Sequence, residues 1–213
     1  MYDLILFDLD GTLTLPETGI TKSVQYALAA FGIEENDRDK LRRFIGPPLV
    51  DGFMDFYGMS EEQALVAVEK YRERFSKVGI FENELIDGVP DMLKELENHG
   101  KKLALATSKP APYSKRIIEH FGIDKYFDFV SCSELDGTRN DKAEIIAEAL
   151  RISPESAFPV MVGDRKHDAM GAKKNNVPFI GVSYGYAADG ELEAFNPIAI
   201  VPDISELEKV LLK

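Results

Sequence analysis

The chain has 213 residues, 45% of them hydrophobic, and a formal net charge of −12 at pH 7. This length can supply one sizeable core, or one core with a small second domain. Because nucleic acids and anionic membranes repel an acidic surface, the charge disfavours both as partners.

The first predicted element is a short buried strand from Tyr2 to Phe7. The opening MYDLIL has neither the basic region nor the apolar length of a signal peptide or membrane span. The single cysteine, Cys132, excludes an internal disulfide and fits a reducing compartment. We therefore expect a cytoplasmic protein without a membrane partner, acting as a monomer or weak homodimer.

A helical segment follows, from about residue 20 to residue 81. Its apolar residues recur at helical spacing, as at Val24, Leu28 and Phe31. Glycines and prolines divide the segment into several short helices, and Ser60 followed by Gln63 predicts a capping box. No clear strand pattern is found in this segment.

After Gly88, helical and strand patterns alternate. Helices are predicted over residues 89–99, 110–121, 141–150, 165–175 and 204–212, and strands over KLALAT, YFDFVS, FPVMVGD, PFIGVS and IAIV. Such alternation predicts an α/β fold with a Rossmann-like parallel sheet. The predicted domains are a catalytic core, 1–14 plus 86–213, and an inserted all-helical cap, 15–85. The insert follows the carboxyl end of the first strand, where open α/β sheets bind ligands.

Polar residues follow the predicted strands at this same edge of the sheet. They are Asp8, Asp10, Thr107, Ser108, Lys109 and Asp164, with Lys142 and Asp168 at the starts of helices. Two carboxylates about 4 Å apart repel each other by roughly 4 kcal/mol at an effective dielectric constant of about 20. A divalent cation relieves this repulsion, and oxygen ligands without a His or Cys cluster favour Mg²⁺ over zinc.

The spacing of Asp8 and Asp10 suits reaction at a phosphorus atom. Residues i and i+2 of an extended chain point the same way, so both carboxylates can face one substrate. The following glycine turn offers backbone N–H groups that, with Thr107 and Lys142, suit a phosphate. Together these features predict phosphoryl transfer through an aspartyl-phosphate.

Four motifs in order carry a family resemblance. DLDGT (8–12), Thr107, Lys142 and GDRKHD (163–168) resemble the motifs of the haloacid-dehalogenase-like hydrolases over essentially the whole chain. FIGPPL (44–49) and TSKP (107–110) are similar to the phosphoglycolate-phosphatase-like branch with a helical cap.

The resemblance implies a role for each motif residue. Asp8 is expected to be the nucleophile that becomes phosphorylated, and Asp10 the acid and base, with Asp8, Asp10 and Asp164 binding Mg²⁺ and Asp168 supporting them. Lys142 is expected to neutralise nucleophile and phosphate. The phosphate-binding residues are expected to be Gly11, Thr12, Thr107, Ser108 and Lys142.

Substrate specificity is expected to come from the cap. Arg42 and the turn at Gly46 are the main candidates, with Arg43 and Lys22 beside them. Arginines near a rigid turn suit a second anionic group of the substrate, although an ordinary surface helix and loop explains the same residues.

The predicted activity is Mg²⁺-dependent hydrolysis of small phosphorylated metabolites, as in phosphoglycolate phosphatases. The alternatives are a 5′-nucleotidase of the same family and a phosphomutase that returns phosphate to its product. A non-catalytic phosphate- or partner-binding module would not need the full set of acids. A haloacid dehalogenase would need neither Asp10 nor a metal.

Overall fold

The structure is a computed structural model that describes residues 2–213. Contacts within the chain divide it into two units. The larger unit comprises the residues up to Leu15 together with Leu85–Lys213, and the smaller unit is Pro16–Glu84. The assignment of a catalytic core domain and a cap domain stays a prediction.

The chain from residue 2 onward contains eight strands, and only the third begins in the smaller unit, at its last residue, Glu84. They are β1 (Leu4–Phe7), β2 (Thr14–Leu15), β3 (Glu84–Leu85), β4 (Lys102–Pro110), β5 (Phe129–Ser133), β6 (Pro159–Gly163), β7 (Phe179–Val182) and β8 (Ala199–Val201). Strands β2 and β3 form a two-stranded sheet, and the other six form one sheet in the order β5-β4-β1-β6-β7-β8. All five pairings of the six-stranded sheet are parallel.

Nine α-helices accompany these strands in the part of the chain from residue 2 onward. The smaller unit holds α1 (Glu17–Ala29), α2 (Arg38–Leu41), α3 (Leu49–Tyr57) and α4 (Glu61–Phe75). The larger unit holds α5 (Val89–Asn98), α6 (Ala111–His120), α7 (Lys142–Ile152), α8 (Lys166–Lys174) and α9 (Ile204–Leu211).

Strand β1 lies at the centre of the hydrophobic core. All four of its residues, LILF, are fully buried, as expected for a strand covered on both faces of a parallel sheet. On one face, Leu4 and Leu6 belong to a cluster with Ile145 and Ile146 of α7 and Met161 of β6. Burying each side chain of this size contributes roughly 1.5–3 kcal/mol. The core therefore holds β1 in place, and with it the position of the residue that follows the strand.

The parallel α/β fold with a helical insert is confirmed. The differences lie at element ends and in short elements that the sequence did not predict, namely the sheet of β2 and β3 and a 3₁₀ turn at residues 193–195. The strand predicted at YFDFVS begins only at Phe129, because residues 124–126 form a 3₁₀ turn. Strand β4 continues past Thr107 to Pro110 through a shift of register with β5.

In the smaller unit, helix α1 packs against α4. The predicted capping box is confirmed: the Ser60 hydroxyl accepts a hydrogen bond from the Gln63 N–H, and the Gln63 side chain accepts one from the Ser60 N–H. Lys22 is bound to Glu82 at 2.9 Å, and Arg74 binds the same carboxylate. Lys22 is therefore already neutralised within its own unit.

Among residues 2–213, no helix combines the length and the apolar character that a membrane span requires.

We predict that Gly19→Ala destabilises the smaller unit. A Cβ atom at Gly19 would lie 1.9 Å from the carbonyl oxygen of Gly79 and 2.9 Å from that of Glu82. Relieving such overpacking costs about 1–3 kcal/mol or more, which urea unfolding measures. Ala29→Ser also adds one heavy atom to α1, at an exposed position, and should change stability by less than about 0.5 kcal/mol. Equal stability of the two variants would contradict the close approach.

Candidate active site

The candidate site lies at the carboxyl edge of the six-stranded sheet. Strand β1 lies between β4 and β6. Asp8 directly follows β1, Thr107 lies near the end of β4, and Asp164 directly follows β6. Parallel strands place these ends side by side, so residues about 100 and 156 positions from Asp8 in the chain meet it there.

Asp8 is held by a buried lysine at the start of α7. Lys142 Nζ donates a hydrogen bond to Asp8 Oδ1 at 2.7 Å and another to the Ala106 carbonyl at 3.0 Å. The same ammonium group lies 2.7 Å from Asp168 Oδ1. Burial lowers the pKa of Lys142, but attraction to Asp168 and Asp8 outweighs burial, so the net change is upward. Lys142 therefore remains charged at neutral pH.

Asp10 has a lysine of its own. Lys109 Nζ of β4 lies 2.5 Å from Asp10 Oδ2, and the two side chains are only 8% and 13% exposed. Burial raises the pKa of Asp10, while Lys109 lowers it, and the net change is upward. The carboxylates at positions 8 and 10 are thus held by different cations on different elements.

Asp164 is fully buried in a narrow backbone cradle. Its Oδ2 accepts a hydrogen bond from the Tyr186 N–H at 2.7 Å, and its Oδ1 has no hydrogen-bond partner among residues 2–213. A Cβ atom at Gly11 or Gly185 would lie 2.1 or 2.4 Å from Asp164 Oδ2. Only glycine at these two positions leaves room for the carboxylate.

Three of the acids form a set that could hold a metal ion. One carboxylate oxygen from each of Asp8, Asp164 and Asp168 lies within 4.8 Å of the others. Burial, followed by repulsion from the neighbouring acids, raises the pKa of Asp164. Burial likewise raises the pKa of Asp168, against the opposing effect of Lys142.

The donor chemistry and charge of the set fit a hard divalent cation. With Asp10, the cluster has four carboxylates facing two ammonium groups, and a buried excess of negative charge is costly. The oxygen of Asp164 that lacks a partner is a further sign that a ligand belongs there. Oxygen-only donors favour Mg²⁺ or Ca²⁺ over softer metals.

Several groups predicted to bind phosphate form hydrogen bonds within the protein instead. Thr107 is 2% exposed, and its hydroxyl accepts a hydrogen bond from the Lys109 N–H. The Ser108 carbonyl accepts one from the Ser133 hydroxyl. The N–H groups of Gly11 and Thr12, expected to face a phosphate, instead donate to Thr14 and Leu9 carbonyls. A buried turn must first satisfy its own backbone groups.

The other candidates, Arg42 and Gly46, belong to the smaller unit. Arg42 forms an ion pair with Glu17 at 2.9 Å and lies 3.7 Å from Asp39. Arg43 places its guanidinium 4.1 Å from the centre of the Phe56 ring. Gly46 has a φ of +103°, a backbone conformation that glycine adopts readily.

Sequence reasoning missed three parts of the site. It placed Lys109 at this edge of the sheet but did not predict its contact with Asp10. It did not include Tyr186, whose N–H binds Asp164, or Glu191, which binds the turn after Asp164. The glycine between two tyrosines, Tyr184 and Tyr186, was the one available signal, because such a glycine often marks a close backbone approach.

Comparison with known proteins places the chain among related sequences. The model of the haloacid dehalogenase-like hydrolase family matches residues 5–182. A 5′-nucleotidase of Pseudomonas aeruginosa is 47% identical over 211 residues, which cover 99% of this chain and 96% of that protein. Tyrosine-protein kinase PtkA of Mycobacterium tuberculosis is 38% identical over 86% of this chain, which spans 62% of the length of the kinase.

A solved structure and a more distant relative extend the comparison. The crystal structure of a predicted phosphatase from Clostridium acetobutylicum superimposes with a TM-score of 0.94 and 44% identity, covering 100% of this chain and 99% of the other. Phosphoglycolate phosphatase 1 of P. aeruginosa is 27% identical over 214 residues, covering 96% of this chain and 78% of that protein.

We predict that Lys142→Met raises the pKa of Asp168 further. Removing the ammonium group 2.7 Å from Asp168 leaves only the hydrogen bond from the Arg165 N–H to oppose burial and the Asp8 charge, and such a loss shifts a pKa by about 1–3 units. The carboxyl ¹³C shift of labelled aspartate, followed against pH in metal-stripped protein, measures this change. Lys109→Met removes the cation beside Asp10 and should leave the Asp168 titration in place. An unchanged midpoint in Lys142→Met would show that this ion pair does not control Asp168.

Proposed function

The chain belongs to the haloacid dehalogenase-like hydrolases and is a phosphatase of that family, and we propose that it hydrolyses small phosphomonoesters through a phosphorylated Asp8. The observation that carries the proposal is the arrangement of Asp8 and Asp10. The two carboxylates lie two residues apart at the site edge, and each is bound to its own buried lysine.

In the first proposed step, a carboxylate oxygen of Asp8 attacks the phosphorus of the substrate. The bond from phosphorus to the leaving oxygen breaks, and that oxygen takes a proton from Asp10. Burial shifts the pKa of Asp10 upward, which is the direction that a general acid requires. Lys142 holds Asp8 in place and offsets the negative charge of the phosphoryl group.

In the second proposed step, water attacks the phosphorus of the Asp8 phosphate. Asp10, now a carboxylate, accepts the proton of this water, and the bond from Asp8 to phosphorus breaks. Inorganic phosphate leaves, and Asp8 and Asp10 return to their starting states. Thr107 and Ser108 are the proposed phosphoryl-binding residues at the end of β4. Gly11 and Thr12 contribute by shaping the turn after Asp10.

The proposed cofactor is Mg²⁺, and the cluster of acids supports it. Its ligands would be the carboxylates of Asp8 and Asp164 and the backbone carbonyl of Asp10, with Asp168 as a supporting acid that also binds Lys142. When bound, the ion offsets negative charge on the phosphoryl oxygens. Its positive charge would also reduce the repulsion among Asp8, Asp164 and Asp168.

Among small phosphomonoesters, we propose nucleoside 5′-monophosphates ahead of phosphoglycolate. The relative called a 5′-nucleotidase is 47% identical, while the phosphoglycolate phosphatase is 27% identical. Arg42 and Gly46 remain the candidates for recognising the rest of the substrate. Since Arg42 already pairs with Glu17, a substrate anion there would compete with an existing ion pair.

Two other functions would give different experimental results. A phosphomutase would use the same two aspartates but return the phosphoryl group to its product, giving isomerisation with little free phosphate. A non-catalytic binding module would bind phosphate without turnover. The intact pairs of Asp8 with Lys142 and Asp10 with Lys109 favour chemistry over mere binding.

We predict that Asp8→Asn and Asp10→Asn both lower turnover but differ in whether a phosphoenzyme forms. Asp8→Asn removes the nucleophile and should abolish phosphate release from p-nitrophenyl phosphate, with no phosphoenzyme in acid-quenched samples. Asp10→Asn keeps the nucleophile but loses the proton donor and acceptor, which typically contributes about 10²–10⁴-fold. Its residual turnover should show phosphoenzyme. Asp136→Asn, an exposed aspartate outside the site, is the matched control. Turnover by Asp8→Asn at the wild-type rate would refute the assignment of Asp8.

We predict that the purified protein releases phosphate from nucleoside 5′-monophosphates, and that EDTA stops the reaction until Mg²⁺ is restored. The measurement is a phosphate-release panel that includes phosphoglycolate, sugar phosphates, pyrophosphate and phosphotyrosine peptide. The ratio of kcat/KM values ranks the substrates. A preference for phosphoglycolate would reverse the proposed order, and product isomers without free phosphate would identify a mutase.

A further inference from the structure

A loop after β7 lies against Asp164. We call residues 183–191 the β7 loop. Its Tyr186 N–H donates to Asp164 Oδ2 at 2.7 Å, and its Tyr184 hydroxyl donates to the Thr12 carbonyl at 3.1 Å. Gly185 lies so near Asp164 that a Cβ atom there would overlap its side chain. The position of this loop therefore decides the position of one oxygen of Asp164.

Glu191, at the end of the β7 loop, ties the loop to the chain immediately after Asp164. Its Oε1 accepts hydrogen bonds from the Lys166 N–H at 2.8 Å and Arg165 Nε at 3.0 Å. Its Oε2 accepts one from the Ala188 N–H at 3.2 Å. The side chain is only 11% exposed, and a carboxylate at the first N–H of a helix is also favoured by the helix dipole.

Both segments that Glu191 connects adjoin Asp164. Arg165 and Lys166 follow it in the chain, and Arg165 also donates its N–H to Asp168 Oδ2 at 3.1 Å. Ala188 belongs to the same loop as Tyr186, whose N–H binds Asp164. One carboxylate thus joins the turn that carries Asp164 to the loop that orients it.

We propose that Glu191 is a positioning residue that fixes Asp164 for cation binding by joining the β7 loop to the turn at Arg165. This inference rests on the proposed function, in which Asp164 binds Mg²⁺. Residues that orient a ligand without touching the metal typically affect metal affinity by about 10–100-fold. Without this connection the β7 loop can shift, and the hydrogen bond from the Tyr186 N–H to Asp164 is weakened. The Asp164 carboxylate is then less firmly oriented.

The test compares Glu191→Gln with the wild-type chain. Gln keeps the size of the side chain but loses its charge and replaces one acceptor with a donor, so it cannot satisfy all three donors. We expect Mg²⁺ binding to the metal-stripped protein, measured by titration calorimetry, to weaken about 10-fold. Glu193→Gln, an exposed glutamate two residues further on, should bind Mg²⁺ as the wild type does.

A second readout separates positioning from general stability. In Glu191→Gln, the Mg²⁺ concentration for half-maximal turnover of p-nitrophenyl phosphate should rise by the same factor. The kcat value at saturating Mg²⁺ should stay within about twofold, since a displaced ligand is drawn back by excess cation. Unchanged Mg²⁺ affinity in Glu191→Gln would overturn the inference, whether or not kcat is lower.

The outcomes also distinguish this inference from the proposed function. If the wild-type chain binds no Mg²⁺, the proposed cofactor fails and the role of Glu191 fails with it, while phosphate release through Asp8 is still tested by Asp8→Asn. If the wild type binds Mg²⁺ and Glu191→Gln binds it equally well, only the role of Glu191 is overturned. Should Glu191→Gln not fold, Glu191→Asp, which keeps the charge but is one methylene shorter, is read by the same two measurements.

Discussion

The ion pairs of Lys142 with Asp8 and Asp168 are the interactions on which the candidate site depends. The lysine and Asp168 are almost fully buried, where an unpaired charge would cost several kcal/mol. A buried ion pair contributes little net stability, because its attraction is offset by lost hydration. Its consequence is geometric: Asp8, which follows β1, is held against a helix that begins 134 residues later.

Asp8, Asp10 and Asp164 are held by partners from different elements. Lys142 holds Asp8, Lys109 holds Asp10, and a backbone N–H holds Asp164. These partners come from α7, β4 and the β7 loop, so each of the three acids has its own contact. In the proposed mechanism, one of these acids is the nucleophile, another exchanges protons and a third binds a cation, although all are aspartates.

The two units of the chain contribute unequal information about function. In the larger unit, charge, burial and spacing all indicate phosphoryl chemistry. In the smaller unit, the basic candidates already have partners: Lys22 binds Glu82, and Arg42 binds Glu17. A positive residue in a sequence is thus weak evidence for an anion site, because folding often pairs it with a nearby acid. The reaction class is consequently better supported than the substrate.

The sequence by itself determined the alternating α/β pattern, the helical insert and the acids at the strand ends, because periodicity and turn residues are local properties of the chain. It could not determine that Lys109 binds Asp10, that the N–H groups of Gly11 and Thr12 are used within their own turn, or that Glu191 joins its loop to Arg165. Only the tertiary structure decided these contacts. They depend on which strand ends become neighbours and on how closely two backbones approach, and no local pattern records either.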